Sequence, residues 1–287
     1  MTTTPDLSPL STASDSRVHP AQIDFEQTYA LGAADALAAR EVVDQAGIDF
    51  EDFEALAVLD IELVVFDMAG TTVHDDGLVE RAFVLAAQRS GIAATEAALE
   101  EALGYARETM GRPKTDIFRE LTGSESEALS ANEAFETAYG ELIARVGVSA
   151  IDGAEDLFQE LRDAGVKIVL TTDFSRTTQD ALIDSLGWAN LIDLSLTPAE
   201  AGRGRPHPDL PLTALLRTGV SSVAAMVVVG DTSSDMLSGT SAGAGLVVGV
   251  RTGTYDAETL EGAGADVVID SVAHLAELLG LRAESIH

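Results

Sequence analysis

Four short, almost continuously apolar runs, each closed by a loop rich in Gly, Asp or Thr, constrain this chain more than any other feature. Residues 61–66 end in Asp67-Met68-Ala69-Gly70-Thr71-Thr72, and residues 167–172 in Asp173. Residues 224–229 end in Gly230-Asp231-Thr232, and residues 246–250 in Arg251-Thr252-Gly253. Apolar runs of this length are strands covered on both faces, and helical stretches between them imply a parallel sheet. Weaker strands are expected at 191–196 and 266–269, with helices at 156–164, 177–186, 210–218 and 272–281.

The predicted class is therefore α/β, a Rossmann-like doubly wound parallel sheet. Between residues 78 and 148 strand signals stop and helical patterns take over, at 78–90, 96–104, 115–121 and 125–146. Gly91, Gly104, Gly111-Arg112-Pro113 and Gly123 read as stops and turns among them. This block is expected to be a helical cap inserted after the first strand, on a core of residues 59–77 and 149–287. Residues 1–22, rich in Ser, Thr, Pro and Asp, read as a disordered leader. Residues 23–58 read as an acidic helical extension, which leaves a homodimer open.

Composition narrows the function classes. A formal charge of −31 opposes nucleic acid as a partner and implies a solvated acidic surface. Any phosphate site must then be locally positive. No apolar stretch reaches the ~18 residues of a membrane span, and the N-terminus lacks a signal-peptide pattern. With no cysteine, disulfides and thiolate metal sites are excluded, and the cytoplasm is the expected compartment. Of 17 basic residues only Lys114 and Lys167 are lysines. An amine retained in a chain that otherwise uses arginine points to a use for the amine itself at Lys114. Lys167, opening a buried strand, reads as structural.

Open α/β sheets bind ligands at the carboxyl ends of their strands. Asp67 sits there, where a carboxylate can attack phosphorus or bind a metal. Two residues on stands Ala69 rather than a second acid, so this loop offers a nucleophile without a proton donor. Asp231 can share a hard cation such as Mg²⁺ with Asp67. Thr172 and Arg205 can hold phosphoryl oxygens as charge redistributes. Singly, each has an ordinary reading: an N-cap, a strand threonine, a surface arginine. Their joint order points to phosphoryl transfer.

These segments resemble the haloacid dehalogenase superfamily, and Asp67-Met68-Ala69-Gly70-Thr71 resembles its phosphonatase-like branch, which has DxAGT where other members have DxDGT. The resemblance covers about residues 60–280. It implies that Asp67 forms an aspartyl-phosphate and that Mg²⁺ is held by Asp67, the Ala69 carbonyl and Asp231, with Asp235 behind them. It implies a substrate- and phosphate-binding set of Ala69, Gly70, Thr71, Thr172, Asp173 and Arg205. Met110-Gly111-Arg112-Pro113-Lys114 resembles the cap segment that carries the branch's Schiff-base lysine. Cleaving a P–C bond expels a carbanion unless the neighbouring carbonyl becomes an iminium, which an amine can form and a guanidinium cannot.

The chain departs from the branch at Ile117, where a histidine is usual, at Asp173-Phe174, where Gly-Tyr is usual, and in lacking a cysteine soon after the first loop. The expected activity is Mg²⁺-dependent hydrolysis of phosphonoacetaldehyde or a related carbonyl phosphonate, with Lys114 as imine former. The alternative is a phosphatase for a small phosphate monoester, with Lys114 only a cap cation; a receiver-like phospho-acceptor module is disfavoured by the cap. His74 and His207 read as surface residues near the site.

Overall fold

A computed structural model describes residues 60–281. The expected leader at 1–22 and helical extension at 23–58 lie outside the described residues. Six strands form one parallel sheet in the order β3-β2-β1-β4-β5-β6. They are β1 (Leu63–Asp67), β2 (Lys167–Thr171), β3 (Leu194–Leu196), β4 (Met226–Gly230), β5 (Leu246–Val250) and β6 (Val267–Ile269). Every residue of β1, β4 and β5 is buried, as the continuous apolar runs predict for strands covered on both faces.

The chain leaves β1 toward β2 and β3 on one side and later returns to β4, β5 and β6 on the other. The reversal of strand order lies between β1 and β4, which opens a crevice at their carboxyl ends. Register sets the level of the site: Asp67 pairs with Thr171, and Phe66 with Val229. Asp67, Thr172 and Asp231 thus emerge within one residue of each other along neighbouring strands.

Between β1 and β2 the chain builds a cap of four helices, α1 (Leu78–Arg89), α2 (Glu96–Glu108), α3 (Lys114–Thr122) and α4 (Glu125–Val146), before α5 (Ala154–Asp163) returns it to the sheet. Thr95 and Ser124 cap α2 and α4 by accepting from Ala98 N and Glu127 N. Stacked Phe83 and Phe118, 5.0 Å between centroids, join α1 to α3 inside the cap. Paired strands of chain at the cap's base tie it down: Val73 bridges Ala150, and His74 N donates to Ser149 O at 3.0 Å.

The core is completed by α6 (Arg176–Leu186), α7 (Pro198–Ala201), α8 (Asp209–Thr218), α9 (Ser233–Ala242), α10 (Ala257–Gly262) and α11 (Leu275–Leu278). Several expectations need correction. Gly104 does not stop a helix; α2 runs through it to Glu108, because buried Ala102 and Ala106 on either side hold that turn against the cap. The expected strand at 191–196 is only Leu194–Leu196, and the helix at 272–281 is a 3₁₀ turn, Val272–His274, followed by one α turn. The short helices α7 and α10 have too few periodic residues to announce themselves.

Among the described residues no helix is long and apolar enough to cross a membrane.

Candidate active site

The loop after β1 is a tight backbone knot. Thr72 N and Val73 N both donate to Met68 O, and Gly70 N donates back to Val73 O. Gly70 has φ +91°, and a Cβ there would lie 2.6 Å from Asp231 Oδ2. Glycine is therefore required both for the left-handed turn and for the close approach of the Asp231 carboxylate. Gly253, in the loop after β5, presses on the same carboxylate from the other side, where a Cβ would come within 1.9 Å of Oδ2. Asp231 also accepts from Thr71 Oγ1 at 3.1 Å and Thr254 N at 2.9 Å.

Asp67, Asp231, Asp235 and Arg205 are all buried. Arg205 Nη1 donates to both Asp67 Oδ1 and Asp235 Oδ1. Asp235 is held in turn by the N-terminus of α9, where its Oδ2 accepts from the backbone and hydroxyl of Thr232 in a capping box. Both Asp235 oxygens are thereby engaged. Thr172, buried, accepts from Phe174 N at 3.2 Å. The structure thus brings together every residue singled out at the carboxyl ends of the first, second and fourth strands, with Arg205 reaching in from the loop beyond β3.

Charge in this cluster is unbalanced. Burial raises Asp67 well above the usual carboxylate range, against the lowering effect of Arg205. Burial, and then Asp235, push Asp231 up to about 7. Arg205 is held above the ordinary guanidinium range; burial opposes this, and Asp235 and Asp67 outweigh it. Three carboxylates against one guanidinium is not the locally positive site expected for an anionic ligand. The side chains alone leave negative charge to be neutralised.

Above the cluster lies a cavity of about 230 Å³, walled by Asp67, Ala69 and Gly70 from the core and by Met110, Gly111 and Lys114 from the cap. It is smaller than the roughly 300–1,000 Å³ of drug-sized pockets and suits a compact ligand. Its rim includes His74, Asp75, Asp76 and Asp173. Thr172, Arg205 and Asp231 do not line it, but Arg205 and Asp231 bond residues that do, Asp67 and Thr254. His207 is outside it; its carbonyl accepts from Ser238 Oγ at 2.7 Å.

The cap is seated closely on this floor. A Cβ on Gly111 would fall 2.3 Å from Thr232 Oγ1, and one on Gly204 would fall 2.2 Å from Pro113 Cγ. Ser234 Oγ donates to Met110 O at 3.0 Å, and Tyr255 Oη to Arg107 O at 2.9 Å. Lys114, the first residue of α3, is buried and ion-paired with Asp173 of the core.

Two contributions escaped the sequence reading. Thr252 Oγ1 donates to Gly70 O at 2.7 Å, so the Thr252–Thr254 segment braces both the loop after β1 and Asp231. The strand end before it was visible, and this was the available signal. Glu136, inside α4, accepts from Ser175 N at 2.9 Å and Ser175 Oγ at 2.8 Å at the start of α6. A glutamate within a helix gives no local hint of such a partner. Lys167 pairs with Asp193 at 2.9 Å near the surface, consistent with a structural lysine.

Comparison with known proteins agrees with this architecture. The model of the haloacid dehalogenase-like hydrolases matches residues 61–243, more than half of the chain, and the chain belongs to that family. Within it the chain falls on the phosphonatase-like branch. Phosphonoacetaldehyde hydrolase of Bacillus cereus is 30% identical over 196 residues, covering 64% of this chain and 73% of the relative. A phosphonoacetaldehyde hydrolase-like protein from Oleispira antarctica superposes with a TM-score of 0.65 at 25% identity, over 77% of this chain and 92% of that one. A hydrolase from Pseudomonas syringae shares the fold, with a TM-score of 0.67 at 24% identity, over 78% of this chain and all of that one. The protein is a hydrolase of this superfamily, whose chemistry runs through an aspartyl-phosphate.

Proposed function

We propose that the protein hydrolyses phosphonoacetaldehyde or a closely related small carbonyl phosphonate, releasing phosphate and an aldehyde. The observation that carries this reading is the position of Lys114: a buried cap amine facing, across a small cavity, a nucleophile loop that has Ala69 in place of an acid. Asp67 takes the phosphoryl group as an aspartyl-phosphate, and water then hydrolyses it. Lys114 forms an imine with the substrate carbonyl, so that the electrons of the breaking P–C bond enter a neutral enamine. Arg205 and Thr172 neutralise and orient the phosphoryl oxygens. The cap, seated on the core loops, shields the Lys114 amine from bulk water while the imine exists.

A divalent cation fits the donor set. Among the described residues no three acidic or histidine side chains form a cage of their own. The pairing of Asp67 and Asp231 with the Ala69 carbonyl supplies hard oxygen donors, and the uncompensated buried charge calls for a cation. Mg²⁺ held there would offset the phosphoryl charge. Asp235, bonded to Arg205 and to the Thr232 turn, would act through them.

In the metal-free protein folded Asp231 retains a proton that the unfolded chain releases from 3.8 upward. Its contribution to stability therefore falls as pH rises through the window from that value to about 7. At pH 7.5 added Mg²⁺ is expected to raise the melting temperature, by the equivalent of about 2.7 kcal/mol at a hundredfold excess over its Kd. Asp231→Asn should be more stable than the parent in EDTA at that pH and should lose most of the Mg²⁺ response. Thermal melts with and without Mg²⁺ make the comparison; an equal Mg²⁺ shift in both proteins would remove Asp231 from the metal site.

The reading itself is tested by phosphate release from a panel of phosphonoacetaldehyde, non-carbonyl phosphonates and small phosphate monoesters, with Mg²⁺ and with EDTA. Carbonyl phosphonates should be hydrolysed in preference to the rest, and EDTA should stop release. Preference for monoesters would select the phosphatase alternative.

A further inference from the structure

The ion pair beneath the cap carries a consequence for proton transfer. Lys114 and Asp173 come from opposite sides of the cavity, one opening α3 of the cap and the other in the core loop after β2. Their side chains are 3% and 11% exposed, so the pair is nearly sealed from solvent. Phe135 lies 5.8 Å from Lys114 Nζ, and Ile117 and Phe118, buried on the same helix, extend the apolar surroundings. Asp75 is the other carboxylate that acts on this amine, but its oxygens accept from Gly77 N at 3.1 Å and Val79 N at 3.0 Å. Its role is to start α1. Asp173 is left as the one group bonded to the amine among the described residues.

We propose that Asp173 is a catalytic residue that shuttles a proton for Lys114 during imine formation; this rests on the imine reading above. A protonated amine has no lone pair with which to attack. Asp173 removes one proton from the ammonium, and the freed pair of electrons forms the N–C bond while the carbonyl π electrons move to oxygen. A second nitrogen proton passes to that oxygen and gives the neutral carbinolamine. Asp173 then returns its proton to the hydroxyl, the C–O bond breaks and water leaves. The nitrogen lone pair closes the C=N bond. The sum is ammonium plus carbonyl giving iminium plus water, with Asp173 again a carboxylate. No outside acid or base is required, which matters for a pair that solvent scarcely reaches.

The test uses the full-length protein with Mg²⁺, phosphonoacetaldehyde and borohydride, following phosphate release and reductive labelling of Lys114. Asp173→Ala should slow both by about 10²- to 10⁴-fold. Formate, a small carboxylate able to enter the space left by the side chain, should restore both by at least about tenfold. Asp173→Asn, which preserves shape but cannot exchange the proton, should be equally slow and should not respond to formate. Thermal melts of both variants check folding, and recovery by formate could not come from an unfolded chain. Labelling of the parent together with labelling of Asp173→Ala at the parent rate, or a defect in Asp173→Ala that formate leaves unchanged, would overturn the role of Asp173 alone. Absence of label in the parent would overturn the imine reading and the shuttle with it.

Discussion

Asp67→Asn is expected to lower phosphate release by about 10⁴-fold or more, because an amide cannot form the aspartyl-phosphate on which every later step depends. The same change should leave the metal-free protein at least as stable as its parent. Asp67 is buried among Asp231 and Asp235, and burial raises its pKa well above the usual range despite Arg205. A neutral amide of the same shape relieves that repulsion, while Arg205 keeps Asp235 as partner. Activity and stability are thus predicted to move apart. Rates from a phosphate-release assay and a denaturant melt in EDTA test both halves; a variant that lost activity only by unfolding would not support a nucleophile.

Lys114→Arg is the second large effect. It keeps a positive charge opposite Asp173 but replaces an amine with a guanidinium, which does not form imines. Turnover of phosphonoacetaldehyde should fall by about 10³-fold or more, with little change in the Mg²⁺ response. Retention of much of the parent rate would mean that Lys114 serves as a cation, as a monoester phosphatase would use it. Lys114→Ala is a poorer probe, since removing one partner of a buried pair costs about 3–5 kcal/mol. A loss of rate in that variant could reflect a loosened cap.

What was legible in the chain follows from the range over which each feature is encoded. The sheet is written locally: β1, β4 and β5 are unbroken apolar runs, and the residues just beyond them are necessarily at the sheet's carboxyl edge. The strand pattern alone places Asp67, Thr172, Asp231 and Asp235 near one another for that reason. Gly70 was visible as a loop glycine, but its pressure against Asp231, 161 residues away, was not. The same limit hid the Lys114–Asp173 pair, Glu136 at the start of α6, and the brace from Thr252 to Gly70. All join the cap or a distant loop to the core, and no periodicity or spacing within either segment encodes such a meeting. Asp173-Phe174 departs from the branch's usual Gly-Tyr, and beside Lys114 the Asp173 carboxylate has a partner.

In the proposed function an amine of the cap and a carboxylate of the core divide the cleavage of one P–C bond. Its most direct test is peptide mapping of the protein after incubation with phosphonoacetaldehyde, Mg²⁺ and borohydride. A reduced carbon adduct is expected on Lys114, with none on Lys167 and loss of activity in proportion to labelling. Continued phosphate release from that substrate with Lys114 unmodified would contradict it.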